Sequence, residues 1–280
     1  MALPWIFDTP GPPADARYTY GRYPQQFVEL RLPSGPTSGL IPTVVVIHGG
    51  FWLADYDLEH ITHLCGRLAE VGIATWCLEY RRLGNVGGGF PGTFHDVGAA
   101  VDLLRDVAPE HGLDLDGLTA LGHSAGGHLA LWAASRRAGV GLEADQGTDP
   151  VSVRRVVSLA GMGDLRAAFE LGLCHDVIRH LMGGAPDAED SRYALASPAD
   201  VLPLGATQLL FQGATDRWVP LQLSESYAAA AGQAGDGVDL HVFEDVGHFE
   251  LIDPESEPWK TIETALTTGF RQGLGGETPR

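Results

Sequence analysis

The chain has 280 residues, 44% of them hydrophobic and 19% charged, and a formal net charge of −18 at pH 7. This composition is that of a globular protein with a substantial core, and the acidic balance argues against nucleic acid or an anionic membrane as a partner. No apolar run approaches the length of a membrane span, and residues 1–8 lack the basic start and apolar region of a secretory signal.

The three cysteines, Cys65, Cys77 and Cys174, lie in apolar surroundings without the spacing of metal ligands. We expect free buried thiols, which indicate a reducing compartment and hence a cytoplasmic location. The sequence implies no metal and no cofactor.

Apolar patterning predicts strands that alternate with helices along the whole chain, after an irregular arm over residues 1–23. Strands are predicted at 27–32 (half-exposed), 43–47, 73–78, 118–121, 153–159, 208–211 and 238–243. Helices are predicted at about 60–71, 93–108, from 125 to near 139, 221–231 and 258–270. Such alternation predicts an α/β protein with a mostly parallel central sheet and helices on both faces, built as a single domain over residues 1–280.

The segment 161–200 is too irregular to join the sheet and offers one plausible helix, at 175–182. It is the only stretch long enough to cover a site on the sheet. We therefore expect a small cap insertion over residues 161–200.

A Gly-x-Ser-x-Gly pattern at Gly122, Ser124 and Gly126 stands between an apolar strand and a helix-forming run. This is the context of a nucleophile elbow, in which a serine occupies the apex of a sharp strand-to-helix turn. The helix that follows presents free N–H groups, which suit a developing negative charge. Ser124 is the predicted nucleophile.

A serine hydroxyl needs a base to take its proton and an acid to fix the tautomer of that base. Asp216 and His248 follow later strands in the order that an elbow serine requires, on loops at the carboxyl ends of those strands. Asp245 and Asp253 are alternative acids, but each lies close to His248 in sequence, so Asp216 is the predicted acid and His248 the predicted base.

The strand at 43–47 runs into His48-Gly49-Gly50-Phe51-Trp52, a turn placed to supply backbone donors to an oxyanion. The predicted oxyanion-hole residues are Gly49, Gly50, Phe51 and Ala125. An apolar substrate wall is predicted from aromatic residues and a histidine beside these loops, with a purely structural place in the core as the alternative for each. The candidates are Phe51, Trp52, His123 and Trp218.

Together these motifs resemble those of α/β-hydrolases of the carboxylesterase and arylformamidase (kynurenine formamidase-like) group. The resemblance includes the His-Gly-Gly-x-Trp turn, the elbow through His128, Gly213-x-x-Asp216 and Gly247-His248, together with Glu79-Tyr80-Arg81 and Ser197-Pro198. It implies the α/β-hydrolase fold and serine-dependent hydrolysis. Lipase-like members often carry a third glycine where this chain has Phe51, which favours the formamidase-like branch.

The leading hypothesis is a serine hydrolase that cleaves small carboxylic esters through an acyl-enzyme. The first alternative is an arylformamidase that hydrolyses N-formyl aromatic amides such as N-formylkynurenine, and an exopeptidase-like activity is a further one. A non-catalytic small-molecule-binding protein of the same fold is the alternative outside enzymes. The expected partner is a small ester or amide, and the sequence leaves a homo-oligomer open.

Overall fold

The computed structural model describes residues 5–35, 39–136, 142, 149–173 and 176–273. Its strands are β1 Ala16–Thr19, β2 Phe27–Arg31, β3 Ile41–Ile47, β4 Ala74–Leu78, β5 Leu113–His123, β6 Arg155–Leu159, β7 Thr207–Gly213 and β8 Val238–Phe243. They form one eight-stranded sheet in the order β1-β2-β4-β3-β5-β6-β7-β8. From β4 to β8 neighbouring strands pair in parallel, and β1 and β2 pair antiparallel at one edge. The predicted mostly parallel sheet is confirmed.

The helices lie between these strands and after the last of them. They are α1 Thr62–Glu70, α2 Gly92–Asp102, α3 Leu104–His111, α4 Ala125–Ser135, α5 Leu165–Glu170, α6 Val177–Met182, α7 Asp190–Ala196, α8 Leu221–Gln233 and α9 Glu257–Gly273. Short 3₁₀ helices occur at Trp5–Phe7, Leu58–Ile61, Pro198–Val201 and Glu250–Ile252. Within the described ranges, no helix is long and apolar enough to cross a membrane.

The sheet separates two clusters of buried apolar side chains. On β3, Val45 and Ile47 belong to the larger cluster, whereas Val44 and Val46 belong to the smaller one. This alternation follows from the pleat, which sends successive side chains to opposite faces. The larger cluster includes residues of α2, α3, α4 and α8, and the smaller one includes residues of α1 and α9. Helices therefore cover both faces, as predicted.

Two predictions for the first part of the chain are wrong in detail. The arm predicted to be irregular contains β1, which pairs with β2 from Ala16 opposite Leu30 onward. The predicted half-exposed strand β2 is largely buried, because its polar residues form an ion pair under the arm. Arg31 Nη2 lies 2.9 Å from Glu29 Oε2, and Arg31 Nε donates to the carbonyl of Pro12 at 3.0 Å.

The helix predicted at 93–108 is divided at Leu103 into α2 and α3. The segment 161–200 holds three helices, α5 to α7, rather than the one predicted. The predicted helix at 175–182 coincides with α6, and residue 175 lies outside the described residues. Its apolar residues, among them Leu165, Leu181 and Tyr193, join the larger cluster, so the segment packs against the body. Cys65 and Cys77 are free and buried as expected, and Cys174 lies outside the described residues.

The smaller cluster offers a stability test away from the loops that follow the strands. Leu68 on α1 has no exposed surface, whereas Leu40 is 60% exposed. We expect Leu68→Ala to lower the free energy of unfolding by about 2–5 kcal/mol, since a buried leucine loses its transfer energy and leaves a cavity. Leu40→Ala should change it by less than about 0.5 kcal/mol. Urea denaturation measures both, and equal losses would contradict this view of the core.

Candidate active site

Ser124 occupies the turn between β5 and α4 with a backbone conformation that only a tight local structure can hold. Its φ of 56° and ψ of −119° lie outside the regions that side-chain-bearing residues prefer. The Ser124 N–H donates to the carbonyl of Leu159 on β6 at 2.8 Å, which fixes the turn. The serine therefore lies at the carboxyl edge of the parallel strands, as an elbow requires.

The elbow also depends on close backbone packing at Gly126. A Cβ built on Gly126 would lie 2.0 Å from the carbonyl oxygen of Ile47, at the end of β3. Only glycine leaves room for this approach. The last glycine of the Gly-x-Ser-x-Gly pattern thus brings the end of β3, and the loop that follows it, against the elbow.

The structure brings Asp216 and His248 together from the loops after β7 and β8. His248 Nδ1 donates to Asp216 Oδ2 at 2.7 Å, and both side chains are buried. Since a carboxylate can only accept, this bond places a hydrogen on Nδ1, so that Nε2 is the nitrogen available to accept a proton when the ring is neutral. Thr215 joins the two loops, because its N–H and its hydroxyl both donate to the carbonyl of Val246, at 3.0 and 2.8 Å.

The Asp216 carboxylate is held by further donors, one of which the sequence analysis missed. Its Oδ1 accepts from the N–H groups of Trp218 at 2.8 Å and Val219 at 3.0 Å. Its Oδ2 accepts from Gln212 Nε2 at 3.2 Å, and Gln212 Oε1 in turn accepts from the Ser224 hydroxyl at 2.8 Å. The signal was available: an amide that ends a buried apolar strand must find hydrogen-bond partners there.

His123 lies behind His248 rather than on an open surface. The two rings have centroids 4.4 Å apart, and His123 Nε2 donates to the backbone carbonyl of His248 at 3.0 Å. Burial, and then the charge of His248, hold the pKa of His123 well below its ordinary value, so the ring is neutral. His123 thus supports the loop of His248 from behind, and because it is buried there we no longer count it among the candidate substrate contacts.

The loop that follows β3 lies directly against the serine. A Cβ built on Gly49 would lie only 3.2 Å from Ser124 Cβ. The next three residues, Gly50, Phe51 and Trp52, have φ values of 105°, 57° and 54°, so the chain turns through consecutive left-handed conformations. Two of these carry side chains, which makes the turn strained.

Backbone hydrogen bonds and the start of α4 complete this part of the site. The Leu53 N–H donates to the carbonyl of Gly50 at 2.9 Å, and the Leu83 N–H donates to that of Trp52 at 2.8 Å. Ala125 is the first residue of α4, where N–H groups have no partner within the helix. The two segments predicted to form an oxyanion hole thus adjoin Ser124.

Two of the residues predicted to form an apolar wall lie together. Phe51 is half-buried and lies edge-on to Trp218, with ring centroids 5.4 Å apart, and Trp218 is 45% exposed. Trp52, in contrast, has no exposed surface and packs edge-on to His128 within the larger cluster, at 5.3 Å. We therefore keep Phe51 and Trp218 as candidate substrate contacts and assign Trp52 to the core.

The remaining acidic candidates have other roles or surroundings. Asp245 is exposed, and Asp253 accepts from the indole N–H of Trp5 at 3.2 Å. Asp96 instead braces Arg81 through bonds of 2.7 and 2.8 Å. Among the described residues, no group of three or more His, Cys, Asp or Glu side chains is placed to hold a metal ion.

Solved esterase structures share this fold. Esterase 2 of the planctomycete Thermogutta terrifontis, with propionate bound, has a TM-score of 0.74 at 20% identity over 96% of this chain and 97% of that one. A truncated carbohydrate esterase from gut microbiota has a TM-score of 0.77 at 19% identity, covering 92% of this chain and 98% of that one. These similarities confirm the α/β-hydrolase fold.

Among curated proteins, the chain is similar to plant methylesterases. It is 26% identical over 245 residues to isoprenylcysteine alpha-carbonyl methylesterase of Arabidopsis thaliana. It is 25% identical over 241 residues to a probable isoprenylcysteine alpha-carbonyl methylesterase of Oryza sativa subsp. japonica. Each alignment covers 83% of this chain but only 56% and 57% of the relative, so the chain spans little more than half the length of the curated relatives it matches.

A family model described as BD-FAE matches residues 28–230. The matched region contains the loop after β3, the elbow at Ser124 and the loop that holds Asp216. Because the match extends over well more than half of the chain, the protein belongs to the BD-FAE family.

Proposed function

We propose that the chain is a serine hydrolase that cleaves small carboxylic esters through an acyl-enzyme. The observation that carries this proposal is the 2.7 Å bond from His248 to Asp216, on two loops that meet beside the elbow of Ser124. The family membership and the esterase names of the similar proteins support the same reaction class.

In the proposed first step, His248 Nε2 takes the proton of the Ser124 hydroxyl while Oγ attacks the ester carbonyl carbon. Asp216 holds the imidazole in the required tautomer and stabilises the imidazolium that forms. His123 remains neutral behind it, so it adds no positive charge that would oppose this proton transfer.

The tetrahedral intermediate carries negative charge on the former carbonyl oxygen. We assign its donors to the N–H groups of Ala125 and Gly50, with that of Phe51 as a further donor, while Gly49 allows the loop to lie against Ser124. Collapse of the intermediate sends the proton from His248 to the leaving alcohol. Water, activated by the same imidazole, then releases the acid.

We propose esters with a short acyl chain or a small alcohol as the substrate class. The methylesterase names of the plant relatives and the bound propionate of the Thermogutta enzyme support small groups at the site. The edge-on pair of Phe51 and Trp218 offers an apolar wall for one aromatic group. The segment 161–200 is proposed to border the site as a small cap of a single domain.

The arylformamidase alternative uses the same residues. An N-formyl aromatic amine would place its ring on the same wall of Phe51 and Trp218, so N-formylkynurenine is the substrate that separates the two proposals. The acidic charge of the chain supports a small-molecule partner rather than nucleic acid. The free thiols of Cys65 and Cys77 support a cytoplasmic location.

The Ser124→Ala variant separates catalysis from mere binding. We expect it to abolish labelling by a fluorophosphonate probe and to lower kcat on p-nitrophenyl butyrate by about 10⁶-fold, as loss of the serine does in a working triad. Ser135→Ala, at the far end of α4, which begins directly after Ser124, should be labelled and should turn over substrate like the wild type. Undiminished labelling of a folded Ser124→Ala protein would refute the proposal.

The acid is tested by two matched substitutions. Asp216→Asn should lower kcat by about 10⁴-fold, because the amide favours the wrong tautomer of His248. Asp245→Asn, on the exposed part of the loop before His248, should change kcat by less than about twofold. Steady-state kinetics with melting curves as a folding control decide between them, and the opposite ranking would mean that Asp216 is not the acid.

Substrate size is tested with p-nitrophenyl esters of increasing acyl length beside N-formylkynurenine. We expect kcat/KM to be highest from acetyl to butyryl and to fall for longer chains, because a small apolar pocket gains about 0.8 kcal/mol per methylene only until it is full. Better turnover of palmitate than of butyrate would exclude a small site. A wide advantage for N-formylkynurenine would establish the arylformamidase alternative.

Trp218→Ala tests, in the same assay, whether the proposed aromatic wall contacts the substrate. Removing one aromatic contact worth about 0.5–1.5 kcal/mol should raise KM for p-nitrophenyl acetate roughly two- to tenfold and leave KM for ethyl acetate nearly unchanged. Leu40→Ala, just before the amino-terminal end of β3, is the control for loss of an exposed apolar side chain. Equal changes for both esters would mean that Trp218 does not contact the leaving group.

A further inference from the structure

The ring of His48 is completely buried, and both of its nitrogens face acceptors. Nδ1 lies 2.8 Å from the carbonyl oxygen of Gly49, and Nε2 lies 3.3 Å from Glu79 Oε1. A carbonyl oxygen has no proton to give, so Nδ1 carries a hydrogen. The protonation of Nε2 then depends on whether Glu79 is ionised.

The surroundings of Glu79 are those of a carboxylate. Oε1 accepts from the Tyr80 N–H at 2.8 Å and lies 2.9 Å from Arg82 Nη2, and Oε2 accepts from the Leu58 N–H at 3.2 Å. Burial acts to raise the pKa of Glu79, but the charge and hydrogen bond of His48 and the charge of Arg82 outweigh it, and the pKa is lowered. The Tyr80 N–H, the Leu58 N–H and Arg82 already favour an ionised Glu79 without His48, and an ionised Glu79 can only accept, so His48 Nε2 also carries a hydrogen.

The other groups around His48 are compatible with a charged ring. Tyr80 stacks on it with centroids 4.4 Å apart, and the Tyr80 hydroxyl donates to the His48 carbonyl at 2.7 Å. His60 lies edge-on at 5.9 Å, and burial together with the charge of His48 lowers its pKa to about 3, so it is neutral. The charged partner of His48 is Glu79, whose Oε1 also lies 2.9 Å from Arg82 Nη2, so one carboxylate faces two cationic side chains.

We propose that His48 is a buried imidazolium that polarises the Gly49–Gly50 peptide and so strengthens the Gly50 N–H as an oxyanion donor. The Gly49 carbonyl and the Gly50 N–H belong to one peptide unit, so a charged donor on the oxygen withdraws electron density from the N–H. Hydrogen bonds in such a chain strengthen one another in a low-dielectric interior. This inference rests on the proposed function, in which Gly50 faces the oxyanion, and it makes His48 and Glu79 positioning residues.

The protonation of His48 is measurable without any turnover. In protein labelled with ¹⁵N-histidine, ring spectra at pH 7 should show both nitrogens of His48 bonded to hydrogen, with the signals assigned by their absence in His48→Gln. In Glu79→Gln, which keeps the shape but removes the counter-charge, Nε2 of His48 should lose its hydrogen. An unprotonated ring nitrogen on His48 in the wild type overturns the proposal.

The catalytic consequence is measured by separating kcat from KM. His48→Gln and Glu79→Gln should each lower kcat ten- to hundredfold, less than the roughly 10²–10³-fold cost of deleting an oxyanion donor. KM should stay nearly constant, since the substrate carbonyl carries little charge before the attack. Wild-type kcat in a folded His48→Gln enzyme overturns the proposal.

Tyr80→Phe is the control for a purely structural role. It removes a hydrogen bond to the backbone of His48 but leaves the stack and the charge, so it should lower the melting temperature with kcat within about twofold of the wild type. A loss of kcat in Tyr80→Phe as large as that in His48→Gln would show that packing around His48, rather than its charge, supports catalysis, and it overturns the proposal. Fluorophosphonate labelling of Ser124 distinguishes failure of this inference from failure of the proposed function. Retained labelling with lowered kcat in His48→Gln supports the role of the imidazolium, whereas a wild type that is not labelled refutes the serine hydrolase itself.

Discussion

The left-handed backbone of Ser124 is the constraint on which the rest of the site depends. A non-glycine residue in such a conformation costs about 1–3 kcal/mol and persists only where its surroundings hold it. Here the bond to Leu159 fixes one side of the turn, and α4, buried over Ala125 to Ala134, fixes the other. Once the turn is fixed, Ala125 begins α4 with an N–H that has no partner within the helix, and His123 is left beneath the loop of His248.

The parallel sheet converts this single turn into a meeting point of several loops. The loops that follow β3, β7 and β8 all begin at the carboxyl edge of the sheet. Residues about 170 positions apart in sequence, such as His48 and Asp216, therefore need only short loops to reach the same place. The loops of Asp216 and His248 are joined by backbone bonds, including that from Ala214 to Phe243 at 2.8 Å. Their geometry is therefore set by the sheet rather than by the two side chains alone.

The sequence predicted those features that depend on local pattern. Runs of β-branched residues identified the buried parallel strands, and chain order identified Asp216 and His248, which the structure brings together. It did not reveal β1, because a four-residue strand in a proline-rich arm has no pattern until it pairs with β2. Nor did it identify the partners of Gln212 or Glu79: a polar residue beside an apolar run signals that it needs hydrogen-bond partners, but those partners come from other elements.

Trp52 illustrates the difference between a position near a site and a role in it. Phe51 and Trp52 both adopt left-handed conformations, which together cost about 2–6 kcal/mol. Burial of a tryptophan removes about 150–250 Å² from water, worth about 4–6 kcal/mol at 25 cal/mol per Å². The two magnitudes are comparable, so burial of the indole offsets much of the strain of the loop that lies against Ser124. A large aromatic residue at this position is thus explained by the backbone it anchors, and Phe51, which precedes it, is the one left facing Trp218.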